Sequence, residues 1–197
     1  MDRAATFATE APEEGVLDRC RRNEASAWRE LYVDHADRVW RFAERLGVAP
    51  ADLPDVLQEV FVVVFRRLPD FDGRARFTTW LFGIAVRVVR GHRRSLWRRR
   101  VARLVGWDPW GSDSAVPDPH EALERSADAE DLAWILGQMS PKLREVHVLY
   151  EIEEVDGPSI AEIVGCPVPT VRSRLRLARE EFQRLQRRRN LVTGGPP

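Results

Sequence analysis

Val171-Arg172-Ser173-Arg174-Leu175-Arg176-Leu177-Ala178-Arg179, continued by Phe182 and Leu185, decides how this chain is read. Val171, Leu175, Ala178, Phe182 and Leu185 recur at 4, 3, 4 and 3 residues, which is one apolar face at helical period. Arg172, Arg176 and Arg179 fall together on the flank of that face, with Ser173 near them. Just upstream, Ser159-Ile160-Ala161-Glu162-Ile163-Val164-Gly165-Cys166-Pro167 predicts a short helix broken by a glycine turn. A short helix, a tight turn and a basic amphipathic helix together predict a helix-turn-helix, whose second helix reads the DNA major groove.

Overall charge conceals that signal. The 197 residues hold 31 acids and 31 Lys plus Arg, so the sum points to no polyanion. The distribution does. Ten arginines and no acid lie between Arg74 and Arg103; eight acids and only Arg125 lie between Asp108 and Asp131. Such blocks create local fields that the total hides. Lys142 is the only lysine, which fits a GC-rich coding bias, yet the planar arginine fork also suits phosphate and guanine better than an ammonium does.

Hydrophobic residues make up 44%, enough for real cores. Cys20 and Cys166 share no CxxC spacing, and His35, His92, His120 and His147 show no metal-ligand spacing, so neither a disulfide framework nor a metal site is expected. The polar, acidic amino end lacks an apolar signal core, and Val60-Phe61-Val62-Val63-Val64-Phe65 is too short to span a bilayer. A cytoplasmic location is expected.

An all-α fold follows from the remaining periodicity. Residues 1–15 predict a flexible tail. A helix over 24–46 carries Trp28, Leu31, Tyr32, Val39 and Phe42 and ends at Gly47. Residues 50–67 predict a second helix; the β-branched and aromatic run from Val60 to Phe65 admits a strand, but the flanks keep a period of 3.6. After the turn Pro69-Asp70-Phe71-Asp72-Gly73, Thr78 or Thr79 is expected to cap a third helix. That helix sends Trp80, Leu81, Ile84, Ala85, Val88 and Val89 inward and Arg87, Arg90 and Arg94 to another side. Residues 105–120, with Trp107, Trp110 and several prolines, have no period and predict a linker. Helices follow over 121–139 and 141–151, with Ser140 as N-cap and Pro141 in the first helical position.

Three segments then share an order and spacing with a known family. Asp52-Leu53-Pro54-Asp55-Val56-Leu57-Gln58-Glu59-Val60-Phe61 is similar to the core-binding helix of sigma region 2. The stretch from Phe71 to Ala85, including Phe77-Thr78-Thr79-Trp80-Leu81, resembles the segment leading into the promoter-melting helix. Ser140 through Arg179 looks like sigma region 4. Together they resemble an extracytoplasmic-function (group IV) sigma factor of the sigma-70 family, over residues 24–103 and 121–187.

The resemblance implies two small helical domains joined by a flexible linker. Their expected bounds are a tail at 1–20, region 2 at 21–103, the linker at 104–120, region 4 at 121–190 and a tail at 191–197. It implies a non-enzymatic factor, without cofactor or small-molecule substrate, that binds core RNA polymerase through the β′ clamp helices and the β flap. The factor directs polymerase to promoter DNA by the −35 and −10 elements and promotes melting. An anti-sigma partner is also implied. The alternative is a stand-alone helix-turn-helix regulator. An enzyme acting on DNA is not supported, for no P-loop, GxSxG or HExxH is present.

Three sets of site residues follow. On the last helix, Arg172, Ser173 and Arg176 are placed to read bases, and Thr170 and Arg179 to hold phosphates of the −35 element. In the basic block, Arg74, Arg76, Arg87, Arg90 and Arg94, with Phe77 and Trp80, form a basic path with aromatic platforms for the melted −10 strand. Trp80 reads first as a core residue, and the arginines alternatively as a solvated face. Asp52, Asp55 and Glu59, spaced 3 and 4, with Gln58 beside them, form an acidic face for the polymerase, alternatively a solvated one. The chain departs from the family pattern at Arg87, where an asparagine tied to reading a −10 base is usual; an amide donates and accepts, a guanidinium only donates. Gly157-Pro158-Ser159 likewise departs from the usual opening of the helix-turn-helix.

Overall fold

The computed structural model describes residues 14–104 and 127–193, and among them there is helix and turn but no strand. The first group comprises α1 (Glu14–Arg21), α2 (Ala25–Arg45), α3 (Leu53–Arg67) and α4 (Phe77–Leu104). The second comprises α5 (Ala127–Gln138), α6 (Pro141–His147), α7 (Gly157–Val164) and α8 (Val168–Thr193).

α4 is the axis of the first group. From Leu81 to Val89 every residue except Gly83 and Arg87 is an apolar side chain, and all of these are buried. A helix apolar on nearly every side must be covered on nearly every side. α2, α3 and α7 pack against it. α2 offers Leu31, Val39 and Phe42, and α3 offers Val56, Leu57, Val60 and Val64, each a single stripe. Phe42 meets Phe82 with ring centroids 4.5 Å apart. The run from Val60 to Phe65 is therefore helical, as its flanks predict, with Phe65 exposed and resting on Trp28.

Three local expectations are corrected. The stretch expected as tail through residue 20 contains α1, whose Val16, Leu17 and Cys20 are buried against the rest of the group. Three apolar residues are too few to announce a helix, and tertiary packing supplies what the short sequence lacks. Neither Thr78 nor Thr79 is a cap, because α4 already begins at Phe77 and both lie in its first turn. At the other end α8 runs through Thr193, past the expected tail boundary at 191.

In the second group Ser140 does occupy the N-cap of α6 with Pro141 following, although its side chain makes no capping bond. The helix expected over 141–151 runs as α6 to His147 and continues without a break as a wide π turn from Val148 to Ile152. α8 packs on α5, α6 and α7 through Val171, Leu175, Ala178 and Leu185, all buried. The expected linker with Trp107 and Trp110, and the start of the helix expected over 121–139, lie outside the described residues.

Candidate nucleic-acid interface

α7 and α8 form the predicted helix-turn-helix. Asp156 caps α7: its carboxylate accepts from the Ser159 backbone N–H at 2.9 Å and from the Ser159 hydroxyl at 2.8 Å. These two bonds hold the Asp156 carboxyl below its ordinary range. Gly165 ends the helix at φ 73°, ψ 47°, a left-handed conformation that glycine adopts without the Cβ penalty. Cys166 and Pro167 then lead straight into α8.

With the apolar stripe of α8 buried, Arg172, Ser173 and Arg176 are exposed on its outer surface, while Thr170 is half-buried in the first turn. Ser173 donates to the Pro169 carbonyl at 3.1 Å, and Arg176 pairs with Glu180 at 2.6 Å one turn on. Arg179 donates to Glu151 at 2.7 Å and lies over the Tyr150 ring. The Glu151 bond raises the Arg179 pKa above its ordinary value. Arg176 and Arg179 thus each hold an acid, Glu180 on α8 itself and Glu151 from the π turn.

The basic block divides. Arg74 and Arg76 are exposed in the turn before α4, and Arg87 and Arg94 are exposed along it. Arg90 instead turns toward the second helical group. Phe77 and Trp80 join Phe71 and His35 in an aromatic cluster, with Phe77–Trp80 centroids 5.6 Å apart. Phe77 is buried and thus supports the turn rather than offering a face for stacking; Trp80 keeps a partly open edge.

The acidic face also divides. Asp55, Gln58 and Glu59 are exposed on α3. Asp52 is half-buried and sits 3.3 Å from His92 of α4. Glu59 and Arg87 line a shallow groove between α3 and α4 together with Val63, Arg67, Ile84 and Val88.

Sequence reasoning passed over a second layer of charged residues, Arg144, Glu145 and Glu153, all on α6 or just after it. Arg144 is buried, and its guanidinium donates to the Leu46, Gly137 and Met139 carbonyls at 3.0, 2.8 and 3.0 Å. It thereby caps the carboxyl ends of α2 and α5 at once, satisfying carbonyls that helices leave unpaired. Burial lowers the Arg144 pKa, and the Arg93 charge adds to that. Glu145 is buried between Arg90, at 2.7 Å, and Arg93, at 2.5 Å. Glu153 is held between Arg38, at 3.3 Å, and Arg45, at 2.9 Å. The Leu46 contact of Arg144 and the arginine partners of Glu145 and Glu153, all distant in sequence, reveal these roles. Among the described residues no group of acids, cysteines and histidines is arranged to hold a metal, and no helix is long and apolar enough to cross a membrane.

The Sigma-70 region 2 family matches residues 31–99, and the Sigma-70, region 4 family matches residues 130–182. The chain is 30% identical over 172 residues to the ECF RNA polymerase sigma-E factor of Escherichia coli (strain K12), covering 84% of this chain and 89% of that one. Among solved structures it resembles CnrH in complex with the cytosolic domain of CnrY, at 27% identity and a TM-score of 0.60, covering 86% of this chain and 94% of that one. The fold is also that of the sigma factor RpoE in complex with the anti-sigma factor NepR from Bartonella quintana, at 24% identity and a TM-score of 0.61, covering 81% and 96%.

Proposed function

Since the chain belongs to the sigma-70 family, as a sigma factor of the extracytoplasmic-function group, we propose that its helices divide the work of promoter selection as follows. Residues 21–103 act as region 2, 104–120 as the linker and 121–190 as region 4, with the tails outside them. The outward face of α8 enters the major groove of the −35 element. Arg172 and Arg176 donate in pairs to guanine O6 and N7, Ser173 adds an adaptable bond, and Thr170 and Arg179 hold phosphates. The observation that carries this reading is the split of α8 into a buried Val171-Leu175-Ala178 stripe and an exposed Arg172-Arg176 flank.

Arg74, Arg76, Arg87 and Arg94 line the path of the −10 strand, with Arg90 joining them in the DNA-bound form. Trp80 offers its open edge to a base, and Phe77 braces the turn. Arg87 selects a base that accepts hydrogen bonds, or grips phosphate, where an amide would both donate and accept. Asp55, Gln58 and Glu59 dock on the positively charged β′ clamp helices of core polymerase, and the second helical group docks on the β flap. An anti-sigma factor is the expected regulator, in line with the RpoE–NepR complex. The factor works in the cytoplasm and performs no catalysis of its own.

Addition to purified core polymerase tests the reading. Promoter-specific initiation is expected only with this protein present. Asp55→Lys with Glu59→Lys is expected to abolish polymerase binding while leaving DNA binding intact. A stand-alone regulator would lose nothing from that change.

A further inference from the structure

The turn that presents Arg74 and Arg76 is held by a residue far from it in sequence. Arg21, the last residue of α1, donates through its guanidinium to the Phe71 carbonyl at 2.9 Å, across 50 residues of chain. Among the described residues this is the one hydrogen bond that joins residues 71–76 to a distant part of the chain. The same guanidinium donates to Asp18, one turn back on α1, at 2.7 Å, which aims it. α1 is a firm base for this contact. Its Val16, Leu17 and Cys20 are buried, and Arg19 ties it to α2 through Glu24 at 3.2 Å and Glu30 at 3.0 Å. Inside the turn the contacts are local. Phe71 is buried with its ring 5.1 Å from Trp80 and 5.8 Å from Phe77. Asp72 accepts from the Arg74 backbone N–H at 3.1 Å and pairs with its guanidinium at 3.2 Å. Gly73, at φ 73°, bends the chain in open space.

We infer that Arg21 is a positioning residue for −10 discrimination: it sets the angle at which the 71–76 turn leaves the fold, so base choice by that turn depends on α1. The inference rests on the placement of Arg74 and Arg76 at the −10 strand proposed above. A glycine bend has the widest backbone freedom of any residue, so its direction must be set from outside. The Arg21 bond does this. Because the peptide unit is planar, holding the Phe71 carbonyl also holds the amide that leads into Asp72 and Gly73. A charged donor makes that hold short and roughly twice as strong as a neutral one. Charge attraction to phosphate falls only as the inverse of distance and tolerates a small shift of the turn. A hydrogen bond to a base edge weakens steeply once its angle is lost. Loss of Arg21 therefore removes discrimination before it removes binding. Asp18 takes part by aiming the guanidinium.

Holoenzyme assembled from core polymerase and the full chain, mixed with a single-stranded DNA pool that carries a randomised stretch, tests this. Bound and input strands are sequenced, and core polymerase alone supplies the background. Arg21→Ala is expected to lower the ratio of best to average sequence by about tenfold, the size one charge-assisted hydrogen bond supports, while average binding falls by less than about twofold. Arg21→Lys keeps a charged donor for Phe71 and is expected to recover part of the ratio. Asp18→Ala leaves the donor but frees its aim, and is expected to lower the ratio by a smaller factor. Thermal melts of each variant run alongside. An unchanged ratio in Arg21→Ala overturns the inference, whatever the melting midpoint does, because a merely structural contact would move stability and average binding alone. So does a fall that Arg21→Lys leaves undiminished. Arg74→Ala with Arg76→Ala judges the −10 placement separately. If neither binding nor ratio falls there, the turn is removed from the −10 strand and the inference goes with it. If they fall there while Arg21→Ala keeps its ratio, the positioning role alone is lost.

Discussion

The Arg144 guanidinium donates to the Leu46 carbonyl at 3.0 Å across 98 residues of chain. It approaches that carbonyl over Gly47, whose φ of 87° and missing side chain open the way. A Cβ at this position would collide with the guanidinium.

Gly47→Ala is therefore expected to destabilise the protein by about 1–3 kcal/mol, through the left-handed backbone and the displaced cation together. Urea denaturation followed by circular dichroism measures it. An unchanged midpoint would show that Arg144 does not need this passage.

On the DNA side, Arg172→Ala and Arg176→Ala are each expected to cost about 1–3 kcal/mol on the cognate −35 sequence and much less on unrelated DNA. Arg179→Ala is expected to weaken all sequences alike and to reduce the salt slope by about one. Glu151→Gln, which frees Arg179 from its acid, is expected to strengthen binding to every sequence. Anisotropy titrations over a range of salt distinguish these outcomes, and a sequence-independent loss from Arg172→Ala would refute its role as a reader.

Loss of the Asp156 cap is a stability prediction with a pH sign. Asp156→Ala is expected to cost about 1 kcal/mol, and Asp156→Asn much less, since an amide oxygen still accepts from Ser159. Because the folded carboxyl is held below its ordinary range, its stabilisation is present above that range. It is lost as pH falls through the folded value. Melting curves of the two variants between neutral pH and pH 3 check this, and equal losses for Ala and Asn would remove the cap from the account.

His35 and His147 carry the opposite kind of group, buried bases. His35 is enclosed beside Phe77 with neither ring nitrogen hydrogen-bonded, and burial pushes its pKa below 6.5, assisted by Arg38 and opposed by Asp34. Burial does the same to His147 against Phe182, with Arg179 adding to it and Glu151 opposing. The unfolded chain takes up protons at these histidines before the folded one does. Their stabilisation is complete above pH 6.5 and falls as the pH drops toward the folded values, at no more than about 1.4 kcal/mol per pH unit for each. His35→Leu is expected to flatten the denaturation midpoint between pH 7.5 and 5.5. A profile as steep as that of the unmodified protein would place the effect elsewhere.

Much of the fold was legible because its signals are local. The stripe Val171-Leu175-Ala178, the glycine after Val164 and the run around Leu57 and Val60 each state a helix and its buried side without reference to distant residues. The same locality made the exposed Arg172 and Arg176 readable as a surface. Phe77 and Asp52 show where this reasoning stops. Both belong to motifs whose residues resemble binding groups, yet one braces an aromatic cluster and the other meets His92. Whether a side chain faces solvent or a neighbour is decided by an element that can lie anywhere in the chain.

The sequence by itself determined an all-α chain, the helix-turn-helix and which side of each helix would be apolar, because period and glycine placement are properties of consecutive residues. Tertiary structure alone decided that α1 is ordered, that Arg144 caps two helices at once, and that Glu145 and Glu153 each lie between two arginines. The reach of Arg144 to Leu46 and the two acid–arginine sets join residues separated by 52 to 115 positions, and charge spacing along a chain holds no record of which acid will meet which base.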